Sequence, residues 1–163
     1  MTLRKSQNLS KKVAGNAEKY YSYREAWTRI KLAQEHGFYL EAIAIQESII
    51  SDRLISYLQR EQLKTPSGNV CFISFNKLIQ KWRSEFPTGV ASGSYSNLID
   101  AVDQWRKSRN KVIHAIVKSK LSQSTQSIDL FLQQAEEAAK VGEAIAREVC
   151  KWSKKNKSNK NFT

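Results

Sequence analysis

Arg109, Asn110 and His114 are the residues in this chain whose types and spacing best suit a chemical site. The unperturbed pKa of histidine lies near working pH, so His114 can take or give a proton. Arginine stays charged, and its planar fork matches two phosphate oxygens. Asn110 stands four residues before His114, one helical turn away, and its side-chain amide can orient the imidazole. Lys118 continues that stripe and adds a phosphate contact. No Asp or Glu occurs between Gln104 and Ile128, whereas Arg106, Lys107, Arg109, Lys111, Lys118 and Lys120 all fall there. Such a field gathers a phosphate-bearing ligand if these side chains share a surface. Arg106, Lys107, Lys111 and Lys118 are therefore the candidate contacts to such a ligand.

The element that must position this group reads as a helix beginning near Ser94–Ser96. At about 100° per residue, Leu98, Val102, Trp105, Val112, Ile113 and Ile116 share one face. Arg109 falls in the middle of it. A desolvated guanidinium needs an anionic partner or a water-filled cleft. Glu47 interrupts an apolar stripe elsewhere and is the candidate structural partner, so a plain Arg109–Glu47 ion pair competes with a phosphate-binding role. On a straight helix Arg109 and His114 lie about 140° apart. They can act together only if the helix kinks around Lys107–Asn110, or if Arg109 of one copy faces His114 of another.

The remaining segments predict an all-α, single-domain bundle of about five helices, since 3/4 apolar spacing recurs and no stretch alternates convincingly. A first helix over about 17–36 carries Tyr20, Tyr23, Trp27, Ile30 and Gln34, a stripe more consistent with core than with base stacking, and ends at Gly37. A second over about 39–63 is apolar on two sides: Tyr39, Ile43, Ile50, Leu54 and Tyr57, then Ala42, Ile45 and Ile49. Such a helix is central or shared with a partner subunit. Asp52 and Arg53 read as surface charges. Residues 65–69 form a turn cluster. Val70–Ile73 reads as an extended strip lying on the bundle. Ser74 caps a third helix with Phe75, Leu78, Ile79 and Trp82 inward, and a mobile Gly/Ser-rich loop follows. Residues 122–127 are a polar break. The last helix, about 128–152, keeps Phe131, Ala135, Ala138, Gly142, Ile145, Val149 and Trp152 on one seam, its small middle residues allowing close approach.

Charge divides the chain further. Residues 1–12 and 151–163 hold nine of the 27 basic residues and none of the 15 acids, although the whole chain is +12. Basic ends suit a polyanion, or are simply solvated. The expected organisation is a flexible basic arm over 1–15, a helical domain over 16–152 and a disordered basic tail over 153–163.

Several chemistries lack their residues. The two histidines are far apart and neither has an acidic pair at ligand spacing, so no metal or other cofactor is expected. There is no Gly-rich phosphate loop. Cys71 and Cys150 are isolated, with no nearby histidine. His36 reads as a capping or surface residue. With no apolar leader segment and no 18-residue apolar run, a cytoplasmic protein with reduced cysteines and no membrane association is expected.

The run Arg109–His114, with a polar residue directly after the arginine, resembles the Arg-x(4–6)-His signature of the HEPN superfamily. The resemblance implies a small helical bundle and a two-fold homodimer with a composite site. It also implies a metal-independent endoribonuclease that cleaves single-stranded or loop RNA. HEPN domains recur in toxin–antitoxin, abortive-infection and CRISPR systems, so a toxin or phage-defence effector with an antitoxin or other defence-system partner is the implied role. Toxins paired with a nucleotidyltransferase antitoxin often carry tyrosine two positions after the histidine; Ile116 stands there, so that subfamily is not assigned. The implied chemistry is attack of a ribose 2′-OH on the adjacent phosphate. His114 acts as base or acid and Arg109 stabilises the phosphorane. Replacing either is expected to abolish cleavage with little loss of melting temperature. Two other readings stand beside this one: a catalytically inactive HEPN-like nucleic-acid-binding or assembly module, and an unrelated helical DNA-binding regulator.

Overall fold

The computed structural model describes residues 11–62, 73–115 and 127–159. Helical spacing is realised there as five helices: α1 (Lys11–Glu35), α2 (Tyr39–Gln62), α3 (Phe75–Glu85), α4 (Leu98–Ala115) and α5 (Ile128–Asn159). The chain is thus an all-α bundle. Among the described residues the only strand-like pairing is a single bridge between Ser92 and Tyr95.

Local chemistry sets the helix ends. Gly37 takes φ 76°; its N–H donates to the Gln34 carbonyl at 3.3 Å and that of Phe38 to Ala33 at 2.7 Å. This Schellman pattern satisfies the last carbonyls of α1 and turns the chain into α2. Ser74 accepts from the Lys77 N–H at 3.4 Å and caps α3. The Asn97 amide oxygen accepts from the N–H groups of Ile99 and Val90, both at 3.2 Å. That cap starts α4 two residues later than the serines suggest. Ser127 caps α5, accepting from Leu130 at 3.3 Å.

α2 is the central helix, packing on α1, α3 and α5, and α5 also receives α4. That position explains why α2 is apolar on two sides: Ile43, Ile50 and Leu54 on one side and Ala42 and Ile49 on the other are all buried within one chain. The expected α5 seam is buried throughout. Trp152 at its end packs on Tyr57, Trp82 and Phe86, with ring centroids 4.9, 4.8 and 5.8 Å away.

Four expectations change. α1 already includes residues 11–15, and α5 continues through residues 153–159 with Ser153 fully buried. Once a helix is nucleated by packing, each further residue adds one hydrogen bond, so polar lysines and asparagines can prolong it. Tyr20 is 64% exposed, so the α1 stripe buries only from Tyr23 onward. The Gly/Ser loop is tied down: Ser92 Oγ donates to Glu148 at 2.7 Å, and Gly93, at φ 57°, lies so close that a β-carbon there would strike the Glu148 carboxylate. The expected strip over 70–73 lies outside the described residues except for Ile73, which packs on the core. No described helix is long and apolar enough to cross a membrane.

Candidate functional site

α4 is an uninterrupted α-helix across residues 107–110. Leu98, Val102, Trp105 and Val112 are buried as expected, Ile113 is half-buried, Ile99 joins the core, and Ile116 lies outside the described residues. The regular relation of about 140° between Arg109 and His114 therefore holds. With no break in the helix, the two side chains leave it on different sides of one chain.

Arg109 reaches from α4 to α2, where its guanidinium pairs with Glu47; the two side chains are 22% and 20% exposed. Its second terminal nitrogen donates to the Asn110 amide oxygen. Burial pushes the guanidinium pKa down, yet arginine remains charged at any working pH. The arginine on the apolar face thus has the carboxylate partner anticipated for it. Asn110, expected to orient His114, instead gives its amide oxygen to Arg109, because the neighbouring guanidinium is the nearer strong donor.

His114 is exposed in the last turn of α4. Lys111 and Lys107, one and two turns earlier, are also exposed and share its stripe by i,i+3 and i,i+4 spacing. Lys111 also lines a groove of about 530 Å³ between α4 and α5, over Trp105, Val112, Ala138 and Ile145. Lys118 and Lys120 lie outside the described residues.

The expected unopposed basic field is largely neutralised among the described residues. Asp103, just before the acid-free run, is buried and accepts from Arg106 at 2.9 Å and Lys107 at 3.2 Å. With Glu47 on Arg109, three of the basic side chains have acidic partners. The spacing of Asp103 to Arg106 and Lys107 was readable, since i,i+3 and i,i+4 pairs meet on a helix. The reach of Glu47 from α2 depends on tertiary packing.

Burial works to raise the Asp103 carboxyl, but hydrogen bonds from Arg106 and Lys107 outweigh it and hold it below the usual carboxylate range. Asp52 and Glu143 are lowered against burial too, by Tyr23 and Lys19 and by Arg147 and Gln34. A depressed folded-state pKa gives stability that is full above the unfolded value and lost as pH falls through the folded one. Stability is expected to fall between about pH 5 and pH 2, and Asp103→Asn to flatten part of that fall, read as denaturation midpoint against pH.

Asp52 and Arg53 are not plain surface charges. The Tyr23 hydroxyl donates to Asp52, Lys19 pairs with Asp52 at 2.9 Å, and the Arg53 guanidinium lies 4.1 Å over the Tyr23 ring. The α1 stripe brings Tyr23 against α2 and leaves both half-buried. Cys150 lies beside them, its thiol pushed up by burial and so kept protonated. His36 is exposed, as expected. Among the described residues no group of His, Cys, Asp and Glu could hold a metal ion.

Comparison with family models, curated proteins and solved structures finds no match for this chain.

Proposed function

We propose that this chain is a HEPN-type, metal-independent endoribonuclease acting on single-stranded or loop RNA as a two-fold dimer. The observation that carries the reading is His114: an exposed imidazole at the end of α4, on one stripe with Lys107 and Lys111. This is a proton-transfer group beside the phosphate-attracting Lys111, while Lys107 is shared with Asp103. One His114 takes the proton of a ribose 2′-OH as its oxygen bonds to the adjacent phosphorus. The bond to the 5′ oxygen breaks, and that oxygen takes the proton back from the same His114 through a water. The products are a 2′,3′-cyclic phosphate and a 5′-OH.

Arg109 would stabilise charge on the phosphorane. To do so it exchanges the Glu47 carboxylate for phosphate oxygens supplied at a site shared with the other copy. The uninterrupted helix supports that shared arrangement over a kink within one chain. Cytoplasmic action as a toxin or phage-defence effector, under an antitoxin or other defence partner, belongs to the same reading.

The Arg109–Glu47 pair favours a second reading. If that ion pair is purely structural, the chain is a catalytically inactive nucleic-acid-binding module or an unrelated helical DNA-binding regulator. Incubating the protein with RNA in EDTA separates the two. Fragments ending in cyclic phosphate support the ribonuclease; intact RNA supports the second reading.

A further inference from the structure

The end of the bundle remote from His114 has a surface of its own. α1 and α5 run antiparallel: Gln34 donates to Glu143 at 2.6 Å, Arg147 covers Trp27 at 4.4 Å, and Tyr23 lies near Cys150. The first turns of α1 and the last turns of α5 therefore meet at one end. α4 and α5 are also antiparallel, since Ser92 meets Glu148 while the Trp105 indole N–H donates to the Ala138 carbonyl. His114 thus lies level with the start of α5. Lys154 is twenty residues beyond Gln134, roughly 30 Å along the helix.

At this remote end Tyr20 and Tyr21 are 64% and 52% exposed, their rings edge to face at 5.6 Å. Arg24, one turn after Tyr20, is exposed, as are Lys151, Lys154 and Lys155 on α5. No acid follows Glu148 in the chain. Asp52 is engaged by Tyr23 and Lys19, and Glu148 by Ser92 and Lys151; Glu18 is exposed nearby. Of the exposed aliphatic and phenylalanine side chains, Phe38, Ile128, Leu130 and Leu132 lie toward the opposite end, and Leu32 and Val141 lie midway.

We propose that this α1–α5 end docks single-stranded nucleic acid, with bases stacking on Tyr20 and Tyr21 and phosphates on Arg24 and the α5 lysines. Exposed aromatic rings on the same end as exposed cations suit unpaired bases. A lipid surface would call for inserted aliphatic groups, and residues 17–24 and 150–156 expose none. The inference does not depend on the ribonuclease reading, because its residues and its readout are separate.

The test is fluorescence anisotropy on the full chain carrying His114→Ala, which keeps RNA intact. The probes are a 20-nucleotide oligouridine, oligothymidine of equal length, a 20-base-pair RNA duplex and phosphatidylserine vesicles. Tyr20→Ala with Tyr21→Ala is expected to weaken single-strand binding about tenfold or more and leave duplex binding unchanged. Lys154→Glu with Lys155→Glu is expected to weaken both and lower the single-strand salt slope by about 1.4. RNA bound more tightly than DNA would mean that the 2′-OH is read, and equal binding that base and phosphate suffice; either supports the site. Single-strand binding unchanged in the tyrosine variant would overturn the proposal, as would vesicle binding without oligonucleotide binding.

Discussion

Replacing His114 with alanine is expected to reduce RNA cleavage by about 100-fold or more and leave the melting temperature unchanged. The size follows from the usual contribution of a positioned acid or base, about 10²–10⁴-fold. The unchanged stability follows from the exposure of the side chain at the last turn of α4. Arg109→Ala separates from it. Loss of the guanidinium leaves Glu47 half-buried without its charge partner, which costs about 1–3 kcal/mol. Activity and melting temperature then fall together, contrary to what the motif alone leads one to expect. Arg109→Leu combined with Glu47→Leu is expected to restore most of the stability and none of the cleavage, since replacing a buried pair by apolar groups is often neutral. Thermal melts beside a cleavage assay check all three variants.

The second large effect lies in the core. At Gly142 a β-carbon would sit 2.1 Å from the Gln46 side-chain oxygen and 2.7 Å from two carbons of the Trp105 ring. Neither neighbour can retreat cheaply. Gln46 is fully buried and donates to the Ala139 carbonyl at 2.8 Å; Trp105 donates to the adjacent Ala138 carbonyl, also at 2.8 Å. Two consecutive carbonyls of α5 thus receive donors from α2 and α4, and the missing side chain at 142 gives both helices room. Overpacking costs about 1–3 kcal/mol, partly offset by roughly 1 kcal/mol of helix propensity gained over glycine. Gly142→Ala is expected to lower the melting temperature by several degrees, about 2–4 °C per kcal/mol. Gly142→Val should be worse. Adding Gln46→Ala to Gly142→Ala should recover part of the loss, a coupling measurable as a double-mutant cycle. Additive losses would place the crowding elsewhere.

What the sequence shows and withholds follows from the range of the interactions. Ser74, Gly37 and the α5 seam were readable because caps and 3/4 spacing act over one or two turns. Arg109 was readable as an anomaly on an apolar face, and Glu47 as its match, because each broke a local pattern. Tyr23–Asp52 was not, since nothing in either helix alone says which face meets the other. The helical extensions at both ends were missed because composition argues against burial, while helix propagation needs none. The separation of His114 from the basic end of α5 is a matter of helix direction, which residue counts do not contain.

The shared site is tested most directly by mixing two inactive variants. Arg109→Ala and His114→Ala, each prepared alone, should leave RNA intact. Unfolded and refolded together, they should form mixed dimers with one complete site. Cleavage to cyclic-phosphate ends should then return at about a quarter of the wild-type rate, as random pairing of two subunits requires. Mixed dimers that form without any return of cleavage, or a wild-type chain that cleaves RNA as a strict monomer, would contradict a site built from two copies.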